Sequence, residues 1–130
     1  MKTIKRFVTL LFVSMLFLPM QAQNAETITK KIASAFETQN IDLLAQQFSN
    51  DIELSLPNGS SCSNKNQVKS MLAAFMQQKQ VNGFEELHQG EKANRMFVIG
   101  NLKTASGSYR INLFLKTDGN NFLINQIRIE

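Results

Sequence analysis

The stretch Ser108-Tyr109-Arg110-Ile111-Asn112-Leu113-Phe114-Leu115-Lys116 decides the fold class, because its residues alternate in character with the period of a strand. Tyr109, Ile111, Leu113 and Leu115 fall on one face. Arg110, Asn112 and Lys116 fall on the other, where Phe114 is the apolar exception. Ala105-Ser106-Gly107 before the stretch and Asp118-Gly119-Asn120 after it have the composition of hairpin turns. Its neighbours Arg95–Thr104 and Asn121–Ile129 therefore read as antiparallel partners, with Phe84–Gln89 as a fourth strand ahead of them. Gly90 and Gly100 fall where a bulge or a sharp coil of the sheet is expected.

A sheet of this length needs a cover for its apolar face, and the preceding residues supply it. Asn24 caps a first helix in which Ile28, Ile32, Ala35 and Phe36 recur at helical spacing, with Glu26 in its first turn. Asn40 caps a short second helix with Ile41, Leu44 and Phe48 on one side, ended by Ser49-Asn50-Asp51. Ile52, Leu54 and Leu56 then alternate with Glu53 and Ser55 as a strand, closed by the turn Pro57-Asn58-Gly59. After a polar stretch from Ser60 to Asn66, Asn64 with Gln67 three residues on marks a third helix, Ser63 being the rival cap. Val68, Met71, Leu72, Phe75 and Met76 form its apolar stripe, which reads as core. The expectation is an α+β domain, a curved antiparallel sheet wrapped over three helices with a cone-like interior.

The N-terminus reads as an address. Lys2, Lys5 and Arg6 precede an apolar run from Phe7 to Met20, shorter than the roughly 20 residues of a membrane span. With Pro19 as breaker and small Ala22, residues 1–22 have the form of a secretory signal peptide cleaved before Gln23. That leaves one domain, 23–130, exported in soluble form to the periplasm or beyond. The leader carries three of the 14 basic residues and none of the 10 acidic ones, so the rest of the chain is close to neutral. The formal charge of +4 therefore argues for neither nucleic acid nor an anionic membrane as partner. Cys62 is the single cysteine, so no internal disulfide forms, and it reads as a small half-buried residue.

The order of elements resembles the nuclear-transport-factor-2-like superfamily, the cystatin-like or SnoaL-like cone, which includes ketosteroid isomerases, polyketide cyclases and scytalone dehydratase. A closer likeness is to a family of small secreted bacterial domains of unknown function. It is carried by Ala35-Phe36, Asn40 to Phe48, Ile52-Glu53-Leu54, His88-Gln89-Gly90, Ile99-Gly100-Asn101-Leu102, Gly107-Ser108-Tyr109-Arg110 and Gln126-Ile127-Arg128-Ile129-Glu130. The resemblance implies a cone that holds a small ligand in some members and a homodimer formed through the sheet in others. Enzymes of the superfamily place an Asp or His base, often with a Tyr donor, inside the cone.

The chemistry available to this chain is sparse. Asp42, Asp51 and Asp118 read as solvated or capping residues, which leaves the single His88 and the single Tyr109. Strict alternation puts Phe84, Glu86 and His88 on one strand face, where Glu86 would orient the imidazole. Turned toward one pocket, Glu86, His88, Arg110 and Arg128 would form a polar ligand-binding constellation. On an outer, solvated face they would be cross-strand charges instead. Neither a phosphate loop, a nucleophile elbow nor a metal-ligand spacing is present, so no cofactor or metal is expected. Two readings follow. The first is a non-enzymatic binding or accessory module of the cell envelope, which holds a small apolar or amphipathic ligand or dimerises through its sheet. Phe114 on a polar face is the motive for the dimer. The alternative is a small isomerase, dehydratase or cyclase-like enzyme with His88 as general base and Tyr109 or Arg110 as electrophile.

Overall fold

In the computed structural model, which describes residues 25–130, the apolar stripe of the first helix is driven into the interior: Ile28, Ile32, Ala35 and Phe36 have no exposed surface. The signal-peptide reading of residues 1–22, the cut before Gln23 and the Asn24 cap lie outside the described residues. The elements run α1 (Ala25–Glu37), α2 (Ile41–Ala45), β1 (Phe48–Ser55), β2 (Ser61–Ser63), α3 (Lys65–Gln78), β3 (Val81–Lys92), β4 (Arg95–Thr104), β5 (Gly107–Asp118) and β6 (Asn121–Ile129). Two caps form as the sequence suggests. Asn40 accepts from the Leu43 amide at 3.0 Å and Asn64 from the Gln67 amide at 2.9 Å, so Asn64 and not Ser63 starts α3. No helix among the described residues is long and apolar enough to cross a membrane.

The sheet has six strands in the order β2-β1-β6-β5-β4-β3. Its four C-terminal strands form the expected antiparallel meander, with Arg95–Thr104 and Asn121–Ile129 bounded as read from sequence. The sheet as a whole is mixed, because β1 pairs with β6 in parallel, Leu54 opposite Ile127. Period-2 alternation fixes which face a side chain takes but not the direction of a neighbour, so this pairing was not legible. The second helix is also shorter than expected. It ends at Ala45, and Phe48 belongs to β1, where its Cα partner is Ile124. Pairing with β6 takes these residues in place of a further helical turn. A three-residue strand, β2, emerges from the polar stretch by pairing Ser61–Ser63 with Ser55–Glu53.

One face of the sheet is packed by the helices. Phe36 of α1 stacks on Phe84 of β3 with ring centroids 5.8 Å apart and planes 11° from parallel. Phe48, Leu72 and Met76 complete the interior with the buried residues of β4 to β6. Gly90 sits in a regular run of pairs and marks no bulge, whereas Gly100 pairs with Glu86 at the edge of a bulge in β3, where the sequence placed an irregularity. Each has a ring laid over it: a Cβ on Gly100 would lie 2.9 Å from the Phe84 ring, and one on Gly90 would lie 2.3 Å from the Phe97 ring. The irregularities of β3 fall between Val81 and Gly83 and between Glu86 and His88.

Candidate functional site

The bulge in β3 decides where the sequence-derived site residues point. Glu86 pairs with Gly100 and His88 with Ile99, so Leu87 is left without a register partner. One extra residue turns the rest of the strand over, and the expectation that Glu86 and His88 share a face is corrected here. Glu86 stays on the helix side with Phe84 and Gln89. His88 turns to the outer side, where its ring lies 5.4 Å from that of Phe97. Cα partners on adjacent strands share a face, and the row His88, Ile99, Asn112, Arg128 crosses β3 to β6 on this outer side. Arg110, opposite Asn101, lies on the same side one row away. His88, Arg110 and Arg128 are all exposed. The structure thus brings these three to one open surface and separates Glu86 from them by the sheet.

The outer surface also carries apolar groups. Phe97 and Phe114 are Cα partners across β4 and β5, and Phe114 is 42% exposed. Asp51 of β1 reaches Lys116 at 2.6 Å and accepts a hydrogen bond from Ser49 Oγ. The Lys116 ammonium, helped by Ser49, holds the Asp51 carboxyl at about 2, well below its usual value of 3.8.

Tyr109 takes the opposite face. It is half-buried at the N-terminal end of β5, pairs with buried Leu102, and meets Phe75 of α3 edge-on with ring centroids 5.3 Å apart. Between the end of α3, the turn after β1 and this ring lies a half-open pocket of about 320 Å³. Its apolar wall is formed by Leu56, Pro57, Met71, Ala74, Phe75 and Tyr109. Asn58, Ser60, Gln78 and Lys79 supply polar groups around it. The volume is at the lower end of the range for small-molecule sites, about 300–1,000 Å³, and the mixture of an apolar wall with few polar groups is typical of them.

Sequence reasoning found Tyr109 but missed the rest of this pocket. The buried stripe of α3 is Val68, Leu72, Phe75 and Met76. Met71 stands beside that stripe and is half-buried, which is the one local sign that a wall faces outward there. Pro57-Asn58-Gly59 does form a turn, with the Gly59 amide donating to the Leu56 carbonyl at 3.0 Å, but its place beside α3 is a tertiary fact. A second cleft of about 430 Å³ lies between α1 and β3, lined by Glu86, Gln89, Phe84 and Thr29 among others. Its floor is tied down by Thr29, whose Oγ1 lies 2.8 Å from both Gln89 Oε1 and the Ala25 carbonyl. Cys62 is half-buried on β2, and burial pushes its thiol up, away from the reactive thiolate. Among the described residues no group of three or more His, Cys, Asp and Glu converges as metal ligands would.

Comparison with known proteins gives this arrangement its relatives. No curated protein matches the chain. A solved DUF4783 family protein from Bacteroides ovatus is 32% identical, covering 84% of this chain and 94% of its own, with a TM-score of 0.72. An NTF2-like protein of unknown function from Cytophaga hutchinsonii is 8% identical over 86% of this chain and 93% of its own, with a TM-score of 0.59. A SnoaL-like protein of unknown function from Burkholderia thailandensis is 11% identical over 82% and 92%, with a TM-score of 0.62. At these lower identities the likeness is one of fold, and the fold is nuclear-transport-factor-2-like, as the resemblance in the sequence implied. The chain belongs to the family described as domain of unknown function (DUF4783), whose pattern it matches over residues 29–130.

Proposed function

We propose that the protein is an exported, non-enzymatic binding module of the cell envelope that holds a small apolar or amphipathic ligand against Tyr109. The observation that carries this reading is the half-open pocket whose wall joins Leu56, Met71 and Phe75 to the Tyr109 ring. Export rests on the form of residues 1–22. Against the isomerase-like alternative stands the sheet itself, which separates His88 from Tyr109, so the two cannot act on one substrate. Arg110 lies on the His88 side, but neither residue is held in the water-excluded surroundings that a base and an electrophile need.

The test uses the chain's own composition. Tyr109 is the single tyrosine and there is no tryptophan, so tyrosine emission reports on the pocket alone. Titration with 1-octanol changes that emission and saturates, and Met71→Glu abolishes the response. An emission unaffected by any apolar probe would remove the binding reading.

Association through the sheet is a second reading, favoured by the exposure of Phe114 beside Phe97. It predicts a dimer on sizing at micromolar concentration that Phe114→Glu converts to monomer. A monomer in both cases would end it.

A further inference from the structure

Of the residues that line the Tyr109 pocket, Lys79 is the one that is charged at neutral pH, and no carboxylate lines the pocket. Among the described residues Lys79 takes part in no ion pair, whereas Lys30, Lys69, Lys103 and Lys116 each meet an acid. The remaining polar neighbours, Asn58, Ser60, Gln78 and the Tyr109 hydroxyl, can all donate hydrogen bonds. An ammonium with several neutral donors and no acid is a surround for an anion, and an organic cation would find nothing there to neutralise it. One feature opposes this: Lys79 caps the C-terminus of α3, where the helix dipole places roughly half a negative charge. The full charge of the lysine exceeds it.

Resting on the pocket reading above, we propose that the ligand is a single-chain anionic amphiphile. Its aliphatic chain lies against Leu56, Met71 and Phe75, and its anionic head stays at the mouth with Lys79 and the Tyr109 hydroxyl. The head keeps contact with water, since Lys79 is exposed, so the lysine contributes selectivity and the apolar wall the larger part of the affinity.

The experiment compares octanoate, 1-octanol and octylammonium by Tyr109 emission on the purified protein, its Lys79→Gln variant and its Lys79→Arg variant. An exposed charge-assisted contact predicts that octanoate binds about two- to fivefold more tightly than octanol, with octylammonium weakest. Lys79→Gln brings octanoate down to the level of octanol, and Lys79→Arg retains the preference. Equal affinity for octanol and octanoate in the unmodified protein, or a preference that survives Lys79→Gln, would overturn the anion assignment and leave the pocket standing. Silence from all three probes would overturn the pocket reading and this inference together.

Discussion

Gly100 is where a single atom costs most. A Cβ at this position would lie 2.7 Å from the Glu85 carbonyl oxygen as well as against the Phe84 ring, and backbone cannot swing aside. Gly100→Ala is therefore expected to destabilise the protein by about 1–3 kcal/mol in urea unfolding, the range for overpacking a filled interior. Gly90→Ala meets only the end of the half-buried Phe97 ring, which can rotate outward, so its cost is the smaller of the two. Asp51 offers a residue-level test of electrostatics. Its carboxyl is held at about 2 against 3.8 unfolded, so ionisation favours the folded state above pH 4, and that contribution is lost as the pH falls from 4 through 2. The group is at the surface, so its titration midpoint is the quantity to read. An NMR titration should place it near 2, and Lys116→Met should return it most of the way toward 3.8.

At the scale of elements, what was legible in the sequence was what is locally encoded. The Asn40 and Asn64 caps, the limits of β4 and β6, and the inward face of β5 all follow from residues within a few positions of one another. Asn64 also stands at a φ of 79°, which favours glycine. Asn64→Ala should thus cost about 1 kcal/mol through the lost cap and the strained backbone, and Asn64→Gly only a few tenths. Urea midpoints of the two variants decide it, and equal losses would show that the positive φ contributes nothing and that the whole cost is the lost cap. The elements that escaped the sequence are those a distant partner creates. Leu87 has no local mark of a bulge; its extra position is set by how β3 docks on β4, and it alone moves His88 to the outer face. The parallel approach of β1 to β6 and the three residues of β2 are likewise consequences of pairing.

For the molecule as a whole, a filled interior is flanked by the open pocket at Tyr109 and the cleft between α1 and β3. The Phe36–Phe84 stack closes the α1 side of the interior, and Phe36→Ala should cost about 3–5 kcal/mol, as for other buried aromatic truncations. Of the candidate site only Tyr109 was legible, and none of Glu86, His88, Arg110 and Arg128 lines it. Tyr109 stands out as the lone tyrosine on an apolar strand face, whereas Lys79 carries no local mark of a site, because its place beside the turn at Pro57 and Asn58 is created by the packing of α3. On the proposed reading, small-molecule binding belongs to the Tyr109 side and not to the His88 surface. Residue-resolved NMR of the ¹⁵N-labelled protein, titrated with octanoate, tests it most directly. Saturable shifts centred on Tyr109, Phe75, Met71 and Lys79 are expected, with His88 and Phe97 unmoved. Shifts centred on His88 and Phe97, with Tyr109 silent, would contradict it.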